Sequence, residues 1–159
     1  LVLDDSSPDA LVIDSTLPAS RVAVHDALVA VWPRLAGRVA FVAGSMEEAE
    51  IRDTDVVVSC HACGALTDLV LQSAVAARAR VAVLPCCHDL DTGETGRLTG
   101  WIDGPLAVDI VRATALTRQG YRIWTQAIPD DITVKNRLLL GAPASAAGTL
   151  RPGRSRADV

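Results

Sequence analysis

Four apolar runs recur in the first 87 residues of the chain: ALVID at 10–14, RVAFVAG at 38–44, DVVVSC at 55–60 and RVAVLPCC at 80–87. Each is short, rich in β-branched residues and broken off by an acid, a Gly-Ser turn, or cysteine and histidine. Segments with helical composition separate the first run from the second and the third from the fourth. Strands that are apolar almost throughout must be covered on both faces. Alternation with helices therefore predicts an α/β fold, a mainly parallel sheet with helices on both faces.

The punctuation between the runs fixes the other elements. Ser15 and Thr16 are cap candidates and Pro18 suits a first turn, so a helix is expected over 19–32. Its apolar face is read as Val22, Leu28, Val29 and Trp32, with Arg21, His25 and Asp26 off it, and Pro33 with Gly37 ends it. An acidic loop follows at 47–50. Thr67 or Gly64 opens a second helix over 68–79, and Pro85 terminates the strand after it. Residues 89–104 hold four glycines and no period, which reads as a long surface loop. A third helix is expected over 105–120, with Pro105 near its start and Gly120 at its C-cap position. Strands at 121–128 and 136–142 close the domain. Their connection is too short for a parallel crossover, so they form an antiparallel edge hairpin. One domain spans 1–144, and 145–159, with no periodic apolar pattern, reads as a disordered tail.

Composition removes several function classes. The net charge is −4 and Lys135 is the sole lysine, so the basic footprint of a nucleic-acid binder is absent. No apolar run approaches the ~20 residues of a membrane span, and Leu1 to Leu3 lead into Asp4 and Asp5 without a basic n-region. A cytoplasmic protein without membrane partners is expected. Cys60, Cys63, Cys86 and Cys87 form two tight pairs and are expected to be reduced. A start at Leu1 within apolar sequence suggests a chain that begins inside a longer reading frame.

In parallel sheets ligands sit at the carboxyl ends of the strands. Cys60-His61-Ala62-Cys63-Gly64 and Pro85-Cys86-Cys87-His88 both fall at such ends, on strands expected to be neighbours. Asp14 and Gly44-Ser45-Met46 close the two earlier strands at the same rim.

These residues carry a resemblance. Asp14 closing a strand, Ser45 in the turn after the next, and DVVVSCHACGALTD followed by PCCH resemble the later motifs of class I S-adenosylmethionine-dependent methyltransferases. His-x-Cys-Gly with Pro-Cys-Cys-His is similar to a subgroup that includes the glutathione S-transferase C-terminal domain-containing protein. More distantly it is similar to tRNA 2'-O-methyltransferases with a Cys-Cys-Tyr-His motif. IPDDITVKNRLLLG fits the last two strands of that subgroup. The resemblance implies a Rossmann-like fold with S-adenosyl-L-methionine as cofactor, and RNA as one acceptor that the tRNA-modifying relatives suggest. It also exposes a departure. The family's first strand and its glycine-rich loop have no counterpart in LVLDDSSPDA, so an N-terminally truncated domain is expected. Leaving out a central strand would open a gap of roughly 10 Å between its neighbours.

On this reading Asp14 takes ribose hydroxyls, Ser45 and Met46 flank the adenine, and Cys60, His61, Cys63 and Gly64 complete the cofactor wall. Pro85, Cys86, Cys87 and His88 face the substrate. His61 and His88 are the candidate bases, since methyl transfer to oxygen or nitrogen needs alignment and removal of a proton. The plainer readings are that Asp14 caps a helix, Ser45 makes a turn and the histidines orient loops. A module of another class, non-catalytic or zinc-binding, is the alternative, because the two clusters offer more than the four ligands zinc takes. Against metal, adjacent Cys86 and Cys87 point to opposite sides if the strand persists through them.

Overall fold

The computed structural model describes residues 7–144, so the proposed tail at 145–159 and the first six residues lie outside it. The chain divides into two compact units, Leu1–Glu50 and Ile51–Val159.

In the first unit β1 (Ala10–Asp14) pairs in parallel with β2 (Val39–Ala43), Asp14 lying opposite Ala43. The crossover is α1 (Arg21–Val31), followed by a 3-10 turn at Pro33–Leu35. The covered stripe of α1 differs from the one read in the sequence. Arg21, His25 and Val29 are half-buried while Val22 and Leu28 are exposed, and His25 meets Phe41 of β2 edge-on, with ring centroids 5.9 Å apart. Both stripes run through Val29; an edge-on imidazole on Phe41 turns the helix toward the i, i+4 row containing His25.

The second unit is a four-stranded sheet of order β3-β4-β6-β5. β3 (Val56–Cys60) runs parallel to β4 (Arg80–Leu84), as expected for strands joined by a helix, here α2 (Ala65–Ala76). After α3 (Gly104–Arg118), β5 (Tyr121–Ala127) and β6 (Arg137–Pro143) form the expected antiparallel edge hairpin. β6 also pairs antiparallel with β4. Gly141 makes that insertion feasible: a Cβ there would lie 3.1 Å from Tyr121 and 3.3 Å from both Leu116 and Val81.

Two expectations are corrected. In place of a mainly parallel sheet there are a two-stranded and a four-stranded sheet in which only the β1–β2 and β3–β4 ladders are parallel. In the second unit the helices share one face. α2 and α3 contact each other, and Tyr121 Oη, within hydrogen-bond reach of the Ala74 and Ala79 carbonyls, ties α2 to the sheet. The core lies beneath them, built from Val70, Leu71, Ala74, Val81, Val83, Val108, Leu116 and Leu139. The other face of β3 shows Val56 and Val58, 50% and 66% exposed. β3 has no strand on its outer side among the described residues. No helix among them is long and apolar enough to cross a membrane.

Candidate functional site

β3 and β4 end side by side, Cys60 opposite Leu84, and their two loops are stitched together. The chain leaves β3 through His61 at φ +64° and reaches α2 through Gly64, the N-cap residue, at φ 57° and ψ −128°. That second conformation belongs to glycine. Gly64 N–H donates to the Cys87 carbonyl at 3.0 Å, and Thr67 Oγ1 donates to the Ala62 carbonyl, so both ends of the loop are held. His61 to Gly64 and Pro85 to His88 thus form one continuous patch, as their strand-end positions implied.

Three thiols meet in that patch. Cys63 Sγ lies 3.4 Å from Cys86 Sγ, Cys86 Sγ lies 3.6 Å from Cys87 Sγ, and all three sulfurs fall within 4.8 Å of one another. Cys86 is buried; Cys63 and Cys87 are exposed. The objection drawn from strand geometry does not apply, because β4 stops at Leu84 and the Pro85 kink frees Cys86 and Cys87 from strand alternation. All four cysteines are free, and Cys60 stands outside the trio. Hydrogen bonding with Cys86, and then with Cys87, pushes the Cys63 thiol up to about 12. Hydrogen bonding from Cys63 and then Cys86 holds the Cys87 thiol below its ordinary value. Cys87 therefore gives up its proton more readily than Cys63.

Beside the thiol loops is a part-buried polar network. His88 Nε2 lies 2.7 Å from Asp109 Oδ1, with the histidine side chain only 3% exposed. Arg137 Nε donates to Asp109 Oδ2 at 2.7 Å. Arg112, on α3, grips Asp68 on α2 with Nε and Nη2 at 2.7 and 2.8 Å, and Nη2 also reaches the Gly64 carbonyl at 2.9 Å. Its Nη1 sits 3.6 Å from Asp109 Oδ1 and has no hydrogen-bond partner. Asp109 is thus a hub for three cationic or titratable side chains, and Arg112 is the clamp that fixes the Gly64 loop to both helices.

Asp68, Asp109, Arg112 and Arg137 had no place among the residues nominated from sequence. One signal was available: Arg112 lies at four-residue spacing between Val108 and Leu116, the buried stripe of α3. A charge on such a stripe must find a partner.

Past Pro85, a cavity of about 340 Å³ opens between α3 and the β5–β6 hairpin. Leu106, Ile110, Ala113 and Leu139 make its walls largely apolar, and Asp109 and Arg137 supply its charge. The loop after His88 is folded back on itself rather than loose. Thr92 Oγ1 donates to Asp89 at 2.7 Å, the main cause that holds this carboxyl below its usual range. A Cβ on Gly93 would stand 2.3 Å from the Asp89 carbonyl oxygen.

In the first unit, Asp14 and the turn at Ser45 and Met46 sit at the adjacent carboxyl ends of β1 and β2, joined by Gly44 N–H donating to Asp14 O at 3.0 Å. Asp14 Oδ1 accepts from Thr16 N–H at 3.1 Å and from Ser15 Oγ at 3.4 Å, while Oδ2 meets no protein donor among the described residues. Ser45 is a capping residue: its Oγ accepts from Glu47 N–H at 3.2 Å, and Glu48 reaches back to Ser45 N–H at 3.4 Å. Met46 opens the 3-10 turn Met46–Glu48 and is half-buried. The carboxylate thus has one oxygen engaged in its own turn and, among the described residues, one without a donor.

Residues 14–92 match a family model described as a methyltransferase domain. The matched stretch runs from the last residue of β1 into the loop after β4 and contains every strand-end residue nominated above. It supports methyltransferase activity in general terms. No curated protein matches the chain.

Proposed function

We propose that the chain is the S-adenosylmethionine-binding part of a Rossmann-like methyltransferase domain, in the subgroup marked by His-x-Cys-Gly and Pro-Cys-Cys-His. The observation that carries this reading is the methyltransferase match over residues 14–92, within which Asp14, Ser45 and Met46, and the Cys60 to Gly64 and Pro85 to His88 loops, all stand at carboxyl ends of parallel strands.

The bound cofactor would supply an electrophilic methyl group on a sulfonium. The chain's own residues do the rest. Asp14 Oδ2 accepts ribose hydroxyl protons while Oδ1 stays in its turn, and Met46 lays a polarizable apolar side chain against the adenine. In the second unit Gly64, without a Cβ, leaves its loop backbone open to close approach by a ligand. Of the two candidate bases, His61 is exposed and its ring makes no hydrogen bond among the described residues, so it takes the acceptor's proton. His88 is buried against Asp109 and positions the Pro85 to His88 turn instead. The acceptor, RNA among the candidates, approaches from the Pro85 side.

Isothermal titration with S-adenosylmethionine and its demethylated product tests the reading. Weak saturable binding that Asp14→Ala removes is expected; the same affinity in Asp14→Ala would exclude this placement.

A further inference from the structure

We infer that Cys63, Cys86 and Cys87 form a three-thiolate site for one zinc ion, open to solvent on its outer side. The inference rests on the geometry of the sulfurs and does not depend on methyl transfer. Tetrahedral zinc holds thiolates at ~2.3 Å, which sets sulfur atoms roughly 3.8 Å apart. The trio here shows 3.4 and 3.6 Å for two pairs and no separation above 4.8 Å. Side-chain adjustments of roughly 1 Å therefore bring all three into ligand positions.

The backbone beneath them is already arranged. Two neighbouring strand ends supply the ligands, the Gly64 N–H to Cys87 carbonyl bond locks the loops in register, and Arg112 braces the Gly64 carbonyl from behind. Preorganisation of this kind is what a metal site needs from its scaffold. The ligand set is also bounded. His88 is committed to Asp109, and Cys60 lies outside the trio. Three protein donors, two of them exposed, leave the fourth coordination position facing solvent, where water or an incoming ligand binds. Binding balances simply: the ion enters, three thiol protons leave to the buffer, and a singly negative zinc tris-thiolate forms with no change of oxidation state.

The test uses the reduced, metal-free chain titrated with cobalt(II), then zinc(II). One cobalt per chain is expected, with thiolate-to-cobalt charge-transfer absorption and visible bands of tetrahedral intensity, both abolished by zinc. Cys87→Ser, at an exposed position, should keep its circular dichroism and lose affinity by on the order of a hundredfold. Cys63→Ser gives a second exposed variant with the same expectation, and Cys60→Ser should bind as the parent does. The proposal is overturned by an octahedral or absent cobalt spectrum, by one ion per two chains, by equal loss in Cys60→Ser, or by a Cys63–Cys86 disulfide in the zinc-treated chain.

Discussion

Replacing the exposed partner of the Arg112–Asp68 pair should cost more than replacing the buried one. Arg112→Met removes three hydrogen bonds, two to Asp68 and one to the Gly64 carbonyl. Asp68 is 40% exposed and recovers water, Asp109 keeps His88 and Arg137, and the burial of an unpartnered Nη1 is relieved. The net cost should be about 1–3 kcal/mol. Asp68→Ala instead strands a guanidinium that is 4% exposed, with only the Gly64 carbonyl and Asp109 at 3.6 Å for company. That should cost about 3–5 kcal/mol. The double variant should fall short of the sum by about 1–3 kcal/mol. For a unit of roughly 100 residues each kcal/mol moves the midpoint by about 4–8 °C, well within reach of thermal melts by circular dichroism. Arg112→Met proving the more damaging change, or strict additivity in the double variant, would refute the clamp.

Three further outcomes follow from single residues. Gly64→Ala should destabilise by roughly 1–3 kcal/mol through backbone strain, since the new Cβ meets only Asp89 at an ordinary 3.7 Å; urea midpoints within error of the parent would contradict this. Tyr121→Phe strips a hydrogen bond from the Ala74 and Ala79 carbonyls and should cost about 1–2 kcal/mol. Burial raises the Tyr121 hydroxyl above 10, so its contribution is whole below pH 10 and is lost as pH climbs through the raised value; the Phe variant should show a flatter alkaline limb. In the metal-free chain, alkylation followed by mass spectrometry should modify Cys87 well before Cys63, and the reverse order would disprove the proton-sharing described for the trio.

Much of the second unit could be read before its structure, for physical reasons. Apolar runs, Pro85, Pro105 and Gly120 mark element ends by local sterics, and the short 129–135 connection dictates an antiparallel hairpin, so β3 to β6 fall where expected. What escaped depends on contacts distant in sequence. Arg112 and Asp68 lie 44 residues apart, and neither alone announces the other. The choice of His25 over Leu28 for the inner stripe of α1 depends on Phe41 of the next strand. The thiol cluster was visible as a set of possible zinc ligands, and the objection to it held only if the strand persisted through Cys86 and Cys87, which Pro85 prevents.

The most direct test of the central claim is amide chemical-shift mapping by NMR as S-adenosylmethionine is added to the labelled chain. Binding as proposed should move Asp14, Ser15 and Gly44 to Met46, leaving the cavity residues Leu106, Ile110 and Leu138 still. Shifts confined to that cavity, or none at millimolar cofactor, would contradict it.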